Sequence, residues 1–420
     1  MSNSEKALEA LQNNDLDEYQ KNLKNALDQD NDDMLFSLAE ELYSLGFSDD
    51  ALKIYRQLLK KYPDEDEIRT YIADILIAKD DTDGALEVLN EIKPDSSYYI
   101  NALLVEADLY QTQDLFVVSE HKLIEAEKLA PDEPIVKFAV AELYYSEGKY
   151  ESAIKLYLNL IKQGQLSISN VNLVERLGVS YAHVGNFENA IGYLEQIKPI
   201  DMTPDVLFET GFTYLQLGNY AKSIEIFEML RDTDNQYASL YIYLGEAFEK
   251  DNKPEDALRT YQEGLSVDEY NVILYLKAAD IAARLGKMDL TVKYLEKGNQ
   301  VNPDNMEVVT KLSEIYVKDG QFEKDVDFLS DYLSDNNLVP QLYWDLAISY
   351  DHMNKIKQAS ENYQKAAMNL KDNPDFLKNY IFFLRENGKV NESIEFLKQY
   401  VNLVPDDDEM VYMLQDLETK

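Results

Sequence analysis

The chain has 420 residues with 79 acidic and 40 basic side chains, a net charge of −39, which argues against sequence-independent binding to nucleic acid phosphates or anionic lipid. An apolar content of 45% is that of a folded protein, not of a disordered acidic chain. The absence of Cys removes disulfides, thiolate metal sites and Cys nucleophiles, and the polar start MSNSEKALEA, with no apolar run near the ~18 residues of a membrane span, reads as a cytoplasmic chain without a signal peptide.

Along the chain, residues 1–31 hold two apolar faces, marked by Ala7, Leu11, Tyr19, Leu23 and Ala26. A regular pattern then begins. Small residues recur at Ala39, Ala73, Ala107, Ala141, Gly178, Gly211, Gly245, Ala279, Ser313 and Ala347, with steps of 34 except for one of 37 and one of 33. Twelve residues behind runs a second series: Ala51, Ala85, Ser119, Ala153, Ala190, Ser223, Ala257, Thr291, Asp325, Ala359 and Ser393. Asp325 is the departure in that series. Each unit reads as two antiparallel amphipathic helices whose small residues permit close approach. In 238–271, Tyr241, Leu244, Gly245 and Phe248 mark the first stripe, Pro254 opens the second helix, and Ala257, Tyr261 and Gly264 mark the second stripe. Gly46, Gly148, Gly185, Gly218, Gly286, Gly320 and Gly388 fall seven residues after the small residue, where a left-handed helix cap is expected. Pro63, Pro131, Pro303 and Pro405 end units, and the units 66–96 and 171–200 stop early at Lys-Pro. The unit 134–170 is three residues longer, around Gly164–Ser167; this reads as a longer loop, and 162–170 is the one candidate hinge.

This grammar resembles the tetratricopeptide repeat (large apolar, Leu, small, aromatic, then Ala, aromatic and Pro), as in Leu35, Leu38, Ala39, Leu42, Ala51, Tyr55 and Pro63. The resemblance implies an all-α fold, an α-solenoid built as a right-handed superhelix of about 12 helix–turn–helix units. Residues 1–31 would be a degraded capping repeat, 32–405 eleven units, and 406–420 a closing helix. With Lys far outnumbering the seven Arg, the chain is similar to the multi-repeat cytosolic type of low-GC Gram-positive bacteria.

Catalytic and metal chemistry find no motif, so no enzyme activity, metal or cofactor is expected. His121, His183 and His352 lie in separate units without metal-ligand spacing. Asp28–Asp32 and Asp80–Gly84 superficially resemble calcium loops but lack the required residues in register and read as repeat turns. The Tyr residues three after the small residue (Tyr110, Tyr144, Tyr181, Tyr214, Tyr316, Tyr350), and Tyr55, Tyr157, Tyr261 and Tyr363 in second helices, read as packing.

With the small residue numbered 8, positions 2, 5, 9 and 12 share a face that, in proteins this chain resembles, lines a concave peptide groove. Position 9 carries Glu40, Asp74, Asp108, Glu142, Glu246, Asp280 and Glu314, against Val179, Phe212, Ile348 and Phe382 elsewhere. Phe36 and Tyr43 flank Glu40, Phe138 and Tyr145 flank Glu142, and Phe208, Phe212 and Trp344 add aromatic anchors of the kind found at interface hot spots. Glu246, Asp280 and Glu314, on consecutive units, are expected to form a negative strip. The expectation is a non-enzymatic scaffold or adaptor that binds a basic, partly apolar protein segment in an acidic groove. A signal-peptide receptor or a regulatory subunit of an enzyme complex is the alternative. The family's clamp for chaperone tails uses Lys, Arg and Asn on this face; here Asn172, Arg176, Lys277, Lys311 and Lys378 are scattered, so that ligand is not expected.

Overall fold

Apolar residues spaced three and four apart, punctuated by caps, turn each unit into two helices. Side chains of Asn31, Asn271 and Asn305 accept backbone N–H groups of the following first turns. Pro134, Pro204, Pro254, Pro340 and Pro374 open helices where the missing N–H costs nothing. The computed structural model describes residues 1–330, 332 and 339–419; the last residue of the expected closing segment, Lys420, lies outside them.

Among the described residues there are 25 α-helices, as two per unit for twelve units plus one closing helix require. Two compact units divide the chain, Met1–Leu217 and Gly218–Lys420. The first contains α1 (Asn3–Gln12), α2 (Leu16–Gln29), α3 (Asp32–Ser44), α4 (Ser48–Lys61), α5 (Asp66–Ala78), α6 (Thr82–Leu89), α7 (Tyr99–Thr112), α8 (Phe116–Leu129), α9 (Pro134–Ser146), α10 (Tyr150–Lys162), α11 (Leu173–His183), α12 (Phe187–Leu194) and α13 (Pro204–Gln216). The second contains α14 (Tyr220–Thr233), α15 (Leu240–Lys250), α16 (Pro254–Val267), α17 (Val272–Arg284), α18 (Met288–Val301), α19 (Met306–Lys318), α20 (Phe322–Ser330), α21 (Pro340–His352), α22 (Ile356–Leu370), α23 (Pro374–Glu386), α24 (Val390–Leu403) and α25 (Asp408–Glu418). Within each unit the apolar core is a chain of local clusters between neighbouring helices, one running from Ala7 to Ala102 and another from Ala347 to Met410.

The small residues do what their spacing predicts. Ala39, Ala73, Ala141, Ala153, Ala257 and Ala359 are fully buried. A Cβ on Gly178 would sit 2.8 Å from Leu194 Cδ2, and one on Gly245 only 2.1 Å from Tyr261 Cε1, so only hydrogen fits. The left-handed cap extends beyond glycine. Seven residues after each small residue φ is positive in all twelve turns: seven times at Gly, and at Asn14, Asp80, Asp114, Asn252 and Asn354 in the others. Asn and Asp tolerate that region better than other side chains, which lets them replace Gly there.

Two local features depart from regular repeats. The shortened second helices α6 and α12 have eight residues each. Each is followed by a buried Ile (Ile92, Ile197) before Lys-Pro ends the unit. The extra residues after α10 form an antiparallel pair, β1 (Ser167–Ile168) and β2 (Val171–Asn172), a feature the all-helical expectation lacked. Ser169 and Asn170, at φ 48° and 64°, give the doubly positive turn a two-residue hairpin needs. Ile168 and Val171 pack against the cluster containing Tyr157 and Leu173.

Candidate partner-binding face

A rung pattern that the sequence analysis did not assemble organises the first-helix surface. The residue at position 9 of one unit meets position 6 of the next. Glu142 accepts from Arg176, whose Nε is 3.2 Å from each carboxylate oxygen, and Asp280 pairs with Lys311 at 2.7 Å. Glu40 faces the Tyr71 hydroxyl, and Glu314 stands beside Asp345. Arg176 and Lys311 are therefore not scattered: they occupy one register and neutralise the acids before them. The signal available in the sequence was a base at position 6 following an acid at position 9.

The predicted residues of the first unit fall into two groups. Glu40, Asp74 and Asp108, on α3, α5 and α7, have no ion-pair partner among the described residues. Asp74 accepts a hydrogen bond from the Tyr43 hydroxyl. Asp108 keeps solvent contact, yet burial by surrounding protein, with the Asp74 charge beside it, pushes its carboxyl up. Phe36 is half-buried in an aromatic cluster, its ring centroid 5.8 Å from those of both Tyr55 and Tyr71. Tyr55 itself is fully buried with an unpartnered hydroxyl, and burial plus the Glu40 charge raise its pKa.

The second group is engaged internally. Glu142 accepts from Tyr157 at 2.5 Å as well as from Arg176, whose guanidinium lies 4.4 Å from the Tyr145 ring centroid. Phe138 departs from the expectation of a groove position. It is only 7% exposed and packs in the core, because α9 around it (Ile, Val, Phe, Ala, Val, Ala) is apolar on most of its faces. Phe208 and Phe212 are half-buried and stacked, with centroids 6.4 Å apart.

In the second unit Glu246 is half-buried, whereas Asp280 and Glu314 are exposed. The pairing of Asp280 with Lys311 interrupts the expected negative strip. Trp344 donates its indole N–H to Asn379 at 3.0 Å and meets Phe376 edge-on. His183 and His352, at equivalent places, each stack on the first residue of a second helix, Tyr150 at 4.3 Å and Phe322 at 4.2 Å. The two acidic turns that superficially suggested calcium are helix junctions: Asp30 closes α2, and Asp81 caps α6.

The sequence flagged Asp325 but not its partner. Asp325 and Asp345 are both buried, at 0% and 3% exposure. Ser313 and Ser349 hydroxyls donate to Asp325, each at 2.7 Å, and Gln341 Nε2 donates to Asp345 at 2.9 Å. Ser313 Oγ also lies 3.3 Å from Asp345 Oδ2. One hydroxyl has one proton, and the shorter contact takes it. A proton on Asp345 completes the second contact with the carboxyl donating. Burial, with the nearby charges of Asp325 and Glu314 adding to it, pushes Asp345 up to about 7 against the opposing Gln341 bond. Asp325 is raised by burial in the same direction.

Among the described residues no helix is long and apolar enough to cross a membrane, and no three His, Asp or Glu side chains converge as metal ligands would. Comparison with known proteins identifies the repeats. Residues 340–407 match the family described as YpiA-like C-terminal tetratricopeptide repeats and residues 111–165 the YpiA-like tetratricopeptide repeats. Residues 205–234 match a general tetratricopeptide repeat. The TPR repeat-containing protein YpiA of Bacillus subtilis (strain 168) is 33% identical over 365 residues, covering 87% of this chain and 86% of that protein. The TPR repeat-containing protein MJ1428 of Methanocaldococcus jannaschii is 23% identical over 69% of this chain and 53% of its own length. Among solved structures, the C-terminal part of a TPR repeat-containing protein from Cytophaga hutchinsonii aligns with a TM-score of 0.46 at 17% identity, covering 57% of this chain and 98% of that one.

Proposed function

The chain belongs to the YpiA-like family of tetratricopeptide repeat proteins, and from that premise we propose that it is a non-enzymatic cytoplasmic scaffold or adaptor that binds a basic, partly apolar protein segment on the first-helix face of its N-terminal repeats. The observation that carries this reading is the unopposed row Glu40, Asp74 and Asp108. At two later rungs the chain supplies its own base, as Arg176 does for Glu142 and Lys311 for Asp280. At these three rungs it supplies a tyrosine or nothing charged, and the crowding of Asp74 on Asp108 is relieved when a cation arrives. Phe36 and Tyr71 beside Glu40 offer apolar contact for the rest of the segment.

The test is fluorescence anisotropy with a labelled peptide of about ten residues that alternates Lys with Phe and Leu, against a control in which Glu replaces Lys. Three partly exposed charges at about 0.5 kcal/mol each set an expected weakening of about tenfold in the variant E40Q/D74N/D108N. Wild-type binding should also fall as salt rises. Equal affinity in the folded triple variant refutes the reading.

A further inference from the structure

One helix face is basic although the chain as a whole is acidic. On α4, Lys53, Arg56 and Lys60 are spaced three and four residues apart and so lie on one side of the helix. All three are exposed, and none has a carboxylate within ion-pair distance among the described residues. They border a cleft of about 600 Å³ whose floor includes Leu52 and Leu76. The acids of that cleft are already engaged. Asp49 holds Lys79, and Asp81 caps α6 by accepting from the Gly84 N–H at 3.1 Å. Three cations are left unopposed in a protein of net charge −39.

We propose that this face of α4 docks a short acidic segment of a partner protein. The spacing selects the occupant. At about 1.5 Å rise per residue, Lys53 to Lys60 makes a row of roughly 10 Å with steps of roughly 4.5 and 6 Å. A single phosphate would leave part of a row this long unused, whereas an extended acidic segment can place a carboxylate at each base. Carboxylates of an acidic polypeptide recur at a comparable step, roughly 6–7 Å for alternate residues of an extended chain. A long polyanion such as nucleic acid fits worse. It would run off three bases onto exposed acids of the adjacent helix, Asp83 and Glu87. The overall negative charge does not forbid a short segment. At physiological ionic strength charges are screened beyond about 8 Å, so at contact the three local bases dominate. The site is separate from the acidic first-helix face and does not depend on it.

The probe is a labelled peptide of alternating Glu and Leu, about eight residues long, titrated into the full chain near physiological salt. Saturable binding is expected, weakened about tenfold in K53Q/R56Q/K60Q, three surface changes whose folding is checked by the helical circular dichroism signal. The variant E40Q/D74N/D108N should bind this peptide as the parent does. Three results each overturn the proposal: unchanged affinity in the triple Gln variant, no binding to the parent, or displacement of the peptide by inorganic phosphate or oligothymidylate at equal total charge as effectively as by unlabelled peptide.

Discussion

Replacing Asp345 by Asn exchanges a buried carboxyl for an amide of the same shape. The amide oxygen still accepts from Gln341, and the amide nitrogen donates to Ser313 Oγ, so both contacts survive without a titrating proton. In the parent, Asp345 rises from 3.8 to about 7 on folding. A group raised on folding contributes stability that is fully present below its unfolded pKa and is lost as pH rises through the folded value. Here the window is pH 3.8 to about 7, and at about 1.4 kcal/mol per unit the loss is on the order of 4 kcal/mol. Asp325, raised in the same direction, adds to it. Asp345→Asn should therefore be close to the parent near pH 4 and more stable than it by a few kcal/mol at pH 8. The single Trp of the chain, Trp344, neighbours this residue on α21 and reports locally. Urea unfolding followed by Trp fluorescence at pH 5.5, 6.5, 7.5 and 8.5 gives the difference between variant and parent, which cancels the titration of distant carboxylates. A difference that does not grow with pH, or a variant less stable than the parent at pH 8.5, refutes the protonated-carboxyl assignment.

Three further outcomes follow from packing. Gly245→Ala should destabilise the second unit by about 1–3 kcal/mol, since its Cβ would enter the buried Tyr261 ring, whereas Gly192→Ala, with nothing within 4 Å, should stabilise by roughly 0.5–1 kcal/mol in the same thermal unfolding assay. Asn252, at φ +59°, should tolerate Gly without loss and cost about 1 kcal/mol as Ala, read from urea midpoints. Arg176→Met removes both the Glu142 ion pair and the contact with Tyr145, so its urea midpoint should fall further than that of Lys311→Met, whose partner Asp280 is about half exposed.

The period was legible because it is written in a narrow set of residues: mostly a buried small side chain where two helices touch, and most often Gly at a positive φ. At Asp80 and Asn252 the sequence showed a turn but not its left-handed backbone, and at Asp114 neither, because Asn and Asp also serve as ordinary polar residues and only their register, seven after the small residue, distinguishes them. The site was legible in part. Position 9 identified the acidic residues, but their state depends on the stagger between successive units. Arg176 reaches Glu142 across 34 residues and Lys311 reaches Asp280 across 31. Asp325 was visible as an irregularity. That Asp345 would join it was not, because position 6 looks like surface within its own helix and is covered only by the preceding unit.

The tyrosine content connects the core to the charge. Tyr144, Tyr157, Tyr214 and Tyr316 occupy the packing positions the spacing predicts, and their rings fill the helix interfaces. Each also donates its hydroxyl to a carboxylate: Glu120 at 2.9 Å, Glu142 at 2.5 Å, Glu195 at 2.5 Å and Glu296 at 3.1 Å. Tyr19 does the same to Asp50 at 2.6 Å. A phenol gives a carboxylate a strong charge-assisted hydrogen bond without adding a positive charge. Burial and the carboxylates together raise Tyr19, Tyr144, Tyr157 and Tyr316, Tyr144 to about 12, so these four remain donors throughout the physiological range. A chain with 79 acids and 40 bases can thereby hold its acidic side chains in place while keeping their charge. The consequence is local. Arg176 fixes Glu142 and neutralises it, whereas Tyr43 fixes Asp74 and leaves it anionic. At Glu40 and Asp74 the hydrogen-bonding partner is a tyrosine, and among the described residues none of Glu40, Asp74 and Asp108 has an ion-pair partner, so the chain does not pair this row with a cation of its own as it does Glu142.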